Sequence, residues 1–299
     1  MRRIGVAMIL VAGMFASAPS ADAAFPGIRT YPGGNGRIAF ERLSNTHWLI
    51  FSILPNGTGP LTLTDRSMNN YTPAWSADGT KIVFRRRKAP GGTGSEGIWL
   101  MNSNGSGVAK VPNTTWAAGY PSLSPDGTMI AFSNESDGRI YSIKTDGAAK
   151  TAITGNGGNA TPVWSPDGTQ IAFVSHRDGD NEIFVMNADG SAQTQITSNS
   201  VADDYPDWSP DGKQLVFQRT RSSGDEEIYK MKSDGSGITR VTNHLGDDLM
   251  PVWSPNGTKI AEVCNDGDAE ICTINADGSG RVQVTNNTLD DYFPDWEPA

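Results

Sequence analysis

The sequence predicts an all-β protein, a six-bladed β-propeller of four-stranded antiparallel blades, and three observations lead to this prediction. A short unit recurs at intervals of 41 to 48 residues along the 299-residue chain. Each copy combines Asp-Gly or Asn-Gly turns with short apolar segments, which is the pattern of antiparallel hairpins. The chain also contains 34 Gly and 18 Pro, a composition that favours strands and tight turns over helices.

The repeated unit begins with a Trp-Ser-Pro-Asp-Gly turn, which is clearest at Trp164–Gly168. An apolar triplet, Ile171–Phe173, follows, and then a second apolar segment, Ile183–Met186. A second turn at Asp189–Gly190 and a short Thr-containing segment close the unit, so that one unit supplies the four strands of a blade. We expect the motif tryptophans to pack between neighbouring blades, because an aromatic side chain buries a large area. A copy without tryptophan begins at Leu123, and the others begin at Trp75, Trp208, Trp253 and Trp296.

The two ends of the sequence predict how the ring closes. Asn35–Phe40 reads as the turn and second strand of a blade that lacks a first strand, whereas Pro294–Trp296 reads as a first strand without the rest of its blade. We therefore expect the C-terminal first strand to pair with the N-terminal strands and to complete a single propeller domain over residues 35–299. A ring closed in this way has no long unpaired strand edge.

The repeat P-x-W-S-P-D-G, followed by an apolar triplet, E-I-[YF]-x-M-N-A-D-G-S and a closing [IV]-T, resembles the repeat of the TolB-type propellers. This resemblance covers the chain from about Gly33 to the C-terminus. It implies the propeller portion only, because residues 24–34 form a short lead-in that is too small for the additional N-terminal domain of TolB. The specific role of TolB in a cell-envelope complex is not carried over with the repeat.

Residues 1–23 are predicted to be a secretory signal peptide. Arg2 and Arg3 give a positive start, Ile4–Ala16 is an apolar run, and Ala21–Ala23 supplies the small residues of a cleavage site. The alternative is a membrane anchor, but the apolar run is shorter than the ~20 residues that a spanning helix needs. We therefore expect a periplasmic or secreted monomer that does not insert into the membrane.

The formal net charge of −9 argues against a nucleic-acid partner, because phosphate binding depends on Lys and Arg. In a four-stranded meander the Asp-Gly turns lie at one face of the ring, and the longer, variable loops share the other. Variable loops on a rigid scaffold are where binding residues concentrate. The loop face is therefore the predicted binding face.

That predicted face carries three acidic pairs just before three successive first strands, together with Arg177 in the acidic segment 176–182. Three interpretations remain open: a solvated rim, a Ca²⁺ site built from carboxylates, or a surface for a basic protein or peptide. The segment Asp266–Asp268 adds further acidity but lacks the spacing of an EF-hand. The six aspartates are Asp203, Asp204, Asp247, Asp248, Asp290 and Asp291.

The three histidines, His47, His176 and His244, map to the same face. Similar propellers in pectin-fragment lyases build a metal site from several His, which keeps a metal-dependent lyase or hydrolase acting on a carbohydrate as the alternative function. The sequence contains no G-x-S-x-G, no H-E-x-x-H and no phosphate-binding glycine loop. We therefore expect an exported, non-catalytic propeller that binds a protein or peptide, with no cofactor other than a conceivable Ca²⁺.

Cys264 and Cys272 are the two cysteines and lie in one repeat, on either side of a hairpin loop. That repeat has Glu262 and Cys272 where the other repeats have aromatic residues. A disulfide across this hairpin suits an exported chain, and two free thiols are the alternative.

Overall fold

The computed structural model describes residues 34–89, 93–244, 246–265 and 267–298. These residues form six separate four-stranded antiparallel sheets, which confirms the predicted six-bladed propeller. The predicted signal peptide, most of the lead-in and Asp266 lie outside the described residues. Within the described ranges, no helix is long and apolar enough to cross a membrane.

Within each of the first three blades, the strands follow one another from the ring axis outwards. Blade 1 contains β24 (Asp291–Pro298), β1 (Asn35–Ser44), β2 (His47–Ile53) and β3 (Leu61–Thr62). Blade 2 contains β4 (Asn69–Trp75), β5 (Lys81–Arg87), β6 (Gly97–Asn102) and β7 (Ala109–Lys110). Blade 3 contains β8 (Ala118–Leu123), β9 (Met129–Asn134), β10 (Arg139–Lys144) and β11 (Thr151–Ala152).

The other three blades follow the same order. Blade 4 contains β12 (Asn159–Trp164), β13 (Gln170–Ser175), β14 (Glu182–Asn187) and β15 (Thr194–Gln195). Blade 5 contains β16 (Asp203–Trp208), β17 (Gln214–Thr220), β18 (Glu226–Lys232) and β19 (Thr239–Arg240). Blade 6 contains β20 (Asp247–Trp253), β21 (Lys259–Asn265), β22 (Ala269–Asn275) and β23 (Val282–Gln283).

The ring closes as predicted, because β24 pairs antiparallel with β1. The register places Ile38 opposite Trp296 and Arg42 opposite Asp291. We call the end of the ring with the first-to-second and third-to-fourth strand connections the turn end. The opposite end, with the second-to-third and blade-to-blade connections, is the loop end.

The repeated motif has a clear physical basis at the turn end. In blade 2, Asp78 Oδ1 accepts hydrogen bonds from Ser76 Oγ (2.6 Å) and Thr80 N (3.0 Å), while Gly79 takes a φ of 67°. A Cβ on Gly79 would lie 2.5 Å from the Pro298 carbonyl oxygen, so only glycine fits there. The tryptophans that open the turns are buried between blades, with 3–8% exposure, at positions Trp75, Trp164, Trp208, Trp253 and Trp296.

Each inner strand contains a bulge at the residue before its proline. There the pairing register with the second strand shifts, and the residue takes a φ between 47° and 56° although none of the six is glycine. A bulge re-aims a side chain, and here it turns six side chains towards the ring axis. The previous blade satisfies the freed N–H in two cases: Glu41 Oε2 accepts from Thr72 N (2.6 Å), and Gln218 Oε1 accepts from Met250 N (3.1 Å). The six bulge residues are Thr72, Tyr120, Thr161, Tyr205, Met250 and Phe293.

Candidate functional site

A cavity of about 270 Å³ lies on the ring axis and is lined by the inner strands of all six blades. Turn residues such as Pro166, Pro210 and Pro255 form its rim, so the cavity belongs to the turn end. The prolines of the inner strands add rigid, apolar walls without N–H donors. We call this space the axial cavity. It lies at the face opposite to the one predicted for binding.

Three aromatic bulge residues from alternate blades close the axial cavity on the loop side. The ring centroids of Tyr120, Tyr205 and Phe293 lie 5.8–6.3 Å apart, within the range of favourable aromatic pairs. Smaller or unbranched side chains, Thr72, Thr161 and Met250, occupy the blades between them. This alternation of large and small residues lets three rings meet on the axis. We call Tyr120, Tyr205 and Phe293 the floor triad.

Two carboxylates face the axial cavity from equivalent positions, one residue after the proline of their inner strands. Asp207 Oδ2 accepts a hydrogen bond from Trp253 N (2.7 Å), and Asp295 Oδ2 accepts one from Trp75 N (2.5 Å). Burial raises the pKa of Asp207 to about 7 and that of Asp295 to about 8, although these backbone donors favour the charged form. The negative charge of Asp207 also raises the pKa of Asp295. The two carboxylates therefore interact electrostatically.

The polar side-chain groups of the residues that line the axial cavity are carboxylates, hydroxyls and indole N–H groups. The indole N–H groups that are buried without a hydrogen-bond partner are those of Trp75, Trp164, Trp253 and Trp296. The side-chain hydroxyls of Thr72 and Thr161 are buried and have no hydrogen-bond partner, and both residues line the cavity. Asp78 lies at the rim, where its oxygens are used within the turn. Among the described lining residues there is no Lys, Arg or His. When Asp207 and Asp295 are ionised, the cavity therefore carries negative charge without a counterion among these residues.

The aspartates predicted to form an acidic face at the loop end are mostly buried in ion pairs. Asp203 and Asp291 are fully buried; Arg219 donates to both oxygens of Asp203 (2.5 and 2.6 Å), and Arg42 donates to both oxygens of Asp291 (2.6 Å each). Asp248 is also fully buried and pairs with Arg281. These three carboxylates are therefore not exposed, which corrects the expectation of an acidic surface there.

The other three aspartates of the predicted face connect neighbouring blades. Asn181 Nδ2 donates to both oxygens of Asp204 at 3.1 Å, and burial raises the pKa of Asp204 to about 6. Asp247 accepts from Glu226 N (3.1 Å), and Asp290 accepts from Ala269 N (3.4 Å). Each of these bonds joins an inner strand, or the residue just before it, to the third strand or its preceding loop in the blade before it. Their observed contacts are structural.

Arg177 occupies a position that recurs in the ring. Its guanidinium lies 5.5 Å from the Phe173 ring centroid and 4.4 Å from that of Phe184, and it donates to Asn159 Oδ1 (3.1 Å). A cation packed on two rings in this way is stabilised by the ring quadrupoles and by dispersion. Its counterparts on the aromatic pairs of other blades are Arg42, Arg86, Lys150 and Arg219.

The three histidines are not brought together. His47 Nδ1 lies 3.4 Å from the Asn45 carbonyl oxygen, and His176 Nδ1 lies 3.2 Å from Asn181 Oδ1. His244 Nδ1 lies 3.6 Å from Asp248 Oδ2, in the connection between blades 5 and 6. In the part of the chain that the structure describes, no three His, Cys, Asp or Glu side chains are grouped so that they could hold a metal ion. The metal site of the alternative function is not formed by these residues.

Cys264 and Cys272 are joined by a disulfide, with an Sγ–Sγ distance of 2.00 Å. In this blade Cys272 lies opposite Glu262, at the position of the aromatic pairs in the other blades. Arg281 Nε donates to Glu262 Oε1 (3.0 Å). Blade 6 thus replaces the stacked aromatic pair by a disulfide and an ion pair.

The residues that the sequence analysis missed are Asp207 and Asp295. Both occupy the variable position of the motif P-x-W, where the other blades have Ala, Ser or Val. Because inner strands of a propeller surround the axis, a charged residue at this position is a signal for the channel. The sequence analysis instead selected the acidic pairs as binding residues, because adjacent charges are easier to recognise in a sequence than a single charged residue in one repeat.

Comparisons with known proteins agree with this fold. A family model described as the TolB beta propeller domain matches residues 140–299. The TolB homolog of Chlorobium chlorochromatii is 31% identical over 148 residues, which are 49% of this chain and 32% of that protein. The aligned part of the chain thus spans about a third of the length of that curated relative.

Two solved structures extend the likeness to almost the whole ring. TolB from Acinetobacter baumannii superposes with a TM-score of 0.78 at 21% identity, over 88% of this chain and 67% of that chain. An oligogalacturonate lyase in complex with manganese superposes with a TM-score of 0.59 at 16% identity, over 83% of this chain and 73% of that chain. At such identities the likeness shows a shared fold alone.

Proposed function

The chain belongs to the TolB beta propeller domain family, and from this membership we propose that it is an exported, non-catalytic binding protein. Its ligand is a segment of a protein partner, and the segment inserts a side chain into the axial cavity from the turn end. The periplasm is the proposed destination, in agreement with the TolB homologs and with the predicted signal peptide.

The axial cavity is the observation that carries this proposal. Its volume of about 270 Å³ suits one or two side chains and is smaller than the ~300–1,000 Å³ of typical small-molecule pockets. Around it the rim residues, which include Ala77 and Pro298, offer a rigid annulus on which a peptide backbone can lie. At the loop end the predicted aspartates are engaged in ion pairs and interblade bonds, so they do not offer free carboxylates to a partner.

Selection of random displayed peptides on the mature protein tests this proposal. Peptides that emerge are titrated by fluorescence anisotropy against the parent and against Ala77→Trp. Ala77 stands at the rim where other repeats have proline, so a tryptophan there covers the mouth of the cavity without entering a strand. We expect binding to weaken about tenfold or more, which corresponds to about 1.4 kcal/mol.

The matched control is Val108→Trp. Val108 is exposed in the turn between β6 and β7, at the same end of the ring but away from the axis. We expect this variant to bind as the parent does. Selected peptides that bind Ala77→Trp and the parent equally would refute binding at the axial cavity.

A further inference from the structure

We propose that the group held in the axial cavity is a lysine side chain, whose ammonium lies between Asp207 and Asp295. This inference rests on the proposed function, and it adds the chemical identity of the inserted residue. Two carboxylates on the cavity wall, no cation among the described lining residues and two hydroxyls without partners carry it together.

Charge complementarity identifies the ligand as a cation. A carboxylate that is withdrawn from water ordinarily has a basic partner, as the fully buried Asp203 and Asp291 have at the loop end. Asp207 and Asp295 lie on the same inner strands, β16 and β24, and receive only backbone N–H donors. A bound cation would supply the missing counterion for both. Beside an anionic or apolar side chain the two carboxyl groups would remain protonated and would gain no ionic interaction.

The way the carboxylates are held favours lysine over arginine. A guanidinium binds best side-on, with two parallel bonds to both oxygens of one carboxylate. Asp207 and Asp295, however, already accept from the backbone N–H of a tryptophan in the next blade, and the N–H of the following residue also contacts each carboxylate. An ammonium is a compact charge with three donors, so it can bind each aspartate through a single bond.

The floor of the cavity completes the site. The rings of the floor triad provide an apolar and electron-rich surface below the ammonium and its methylene chain. Thr72 and Thr161 lie beside these rings, and their hydroxyls are buried polar groups without a partner.

Lysine binding should release protons. Burial raises the pKa of Asp207 to about 7 and that of Asp295 to about 8, so a fraction of both is protonated in the empty cavity near neutral pH. An ammonium favours the charged carboxylates and therefore displaces their protons. The other titratable groups that line the cavity are Asp78 at the rim and the phenols of Tyr120 and Tyr205 on the floor. Affinity should rise as the pH passes through about 7 and 8.

The test uses three capped amino acids with acetyl and methylamide ends: lysine, arginine and norleucine. Each is titrated by NMR into the mature protein, in EDTA so that no divalent ion occupies the carboxylates, up to about 10 mM, where ligands with millimolar affinity bind. We expect lysine to bind about tenfold more tightly than norleucine and more tightly than arginine. Asp207→Asn and Asp295→Asn should each weaken lysine binding about tenfold.

Asp167→Asn is the matched control for these two variants, because Asp167 accepts from Ser165 Oγ (2.6 Å) and Thr169 N (3.0 Å) in the turn of blade 4 and is not among the residues that line the cavity. The equivalent position in blade 6 is Asn256, which forms the same turn hydrogen bonds with Ser254 and Thr258, so the substitution preserves the turn. We expect lysine binding to be unchanged. Calorimetric titration of the parent in two buffers with different ionisation heats adds a second measurement, and it should show net proton release.

Three results would overturn the inference. These are equal binding of norleucine and lysine, unchanged affinity in both aspartate variants, and no lysine binding at all. If any of them occurs while selected peptides still lose affinity for Ala77→Trp, the proposed function stands and only the lysine assignment is wrong. If lysine binds but no selected peptide depends on the axial cavity, the proposed partner is wrong instead.

Discussion

The two ends of β16 and β24 present the same residue type in opposite surroundings. At the loop end Asp203 and Asp291 are fully buried, and each accepts two bonds from an arginine of the neighbouring second strand. Four residues further along, Asp207 and Asp295 border a cavity and accept only backbone N–H bonds. The first two aspartates are structural, and the second two are poised to take a ligand.

This difference shows that the partner of a carboxylate, more than its burial or its clustering, distinguishes structure from binding. An aspartate with a built-in arginine has its charge compensated in the folded chain. An aspartate with a raised pKa and no cationic neighbour is destabilised in its charged form, and a bound cation can stabilise that form. Four changes to the chain test this difference between the two sets of aspartates, and the first should have the greatest effect on the protein.

Deletion of 291–299 removes β24 and with it both kinds of aspartate in blade 1. Because β24 pairs with β1 and closes the ring, we expect the protein to lose cooperative folding and to aggregate through exposed strand edges. Calorimetry and size-exclusion chromatography measure this, with a chain that ends at Pro298 as the control. A soluble truncated protein that melts as cooperatively as the parent would contradict the role of ring closure.

Asp291→Ala should destabilise the protein by about 3 kcal/mol, because it removes the fully buried carboxylate that accepts both bonds from the partly buried guanidinium of Arg42. Urea denaturation at neutral pH gives the free energy of unfolding. Asp290→Ala is the control, since Asp290 is only partly buried and accepts a single long bond from Ala269 N, and it should cost less than about 1 kcal/mol. Similar costs for the two variants would refute the distinct role of the ion pair.

Asp295→Asn should stabilise the protein at pH 8 and leave it unchanged near pH 4. The folded-state pKa of Asp295 is raised from 3.8 to about 8, so between these values the folded chain holds a proton that the unfolded chain has lost. The stabilising contribution of the protonated carboxyl is fully present below the unfolded pKa, and it is lost as pH rises through the folded pKa.

Asparagine keeps the acceptor for Trp75 N and does not titrate. We expect a gain of about 1–3 kcal/mol at pH 8, smaller than the full pKa change implies because the cavity is open to water. Thermal melting of parent and variant from pH 4 to 8 measures the difference. Parallel pH curves for the two proteins would show that Asp295 is not the titrating group.

Thr161→Val should change the free energy of unfolding by less than about 0.5 kcal/mol, since the Thr161 hydroxyl has no hydrogen-bond partner in the cavity wall. Thr197→Val, in the same blade at the loop end, is the comparison. Thr197 Oγ1 accepts from Ile183 N (2.8 Å), so its loss should cost about 1–2 kcal/mol. Denaturant melts of both variants give the two values, and equal costs would mean that Thr161 has a partner after all.

Much of the fold could be predicted because the same turn residues and apolar segments recur in successive blades. Turn residues fix the hairpins, and the apolar triplets fix which strands are buried: Ile82, Val83 and Phe84 are fully buried. The chain ends correctly indicated that β24 would pair with β1. Such features depend on neighbours within one blade or on the complementarity of the two ends, and both are visible along the sequence.

The candidate site was harder to predict because its residues are distant in the sequence and single in each strand. Counting back three residues from each inner-strand proline would have aligned Asp203 with Asp248 and Asp291, and would have set Asp204 apart. The three acidic pairs therefore all consist of two adjacent aspartates, but Asp203 and Asp204 are shifted by one position along the strand relative to the other two pairs. The arginines that neutralise them lie on other strands, so their charge appeared free.

The blade, the number of blades and the position of the turns follow from short-range periodicity and turn chemistry, so all three could be predicted from the sequence. Which aspartates are neutralised and which face the axis became clear only in three dimensions. Burial and ion pairing are properties of the closed ring: six strands far apart in the chain meet at the axis, where Asp207 and Asp295 share one cavity.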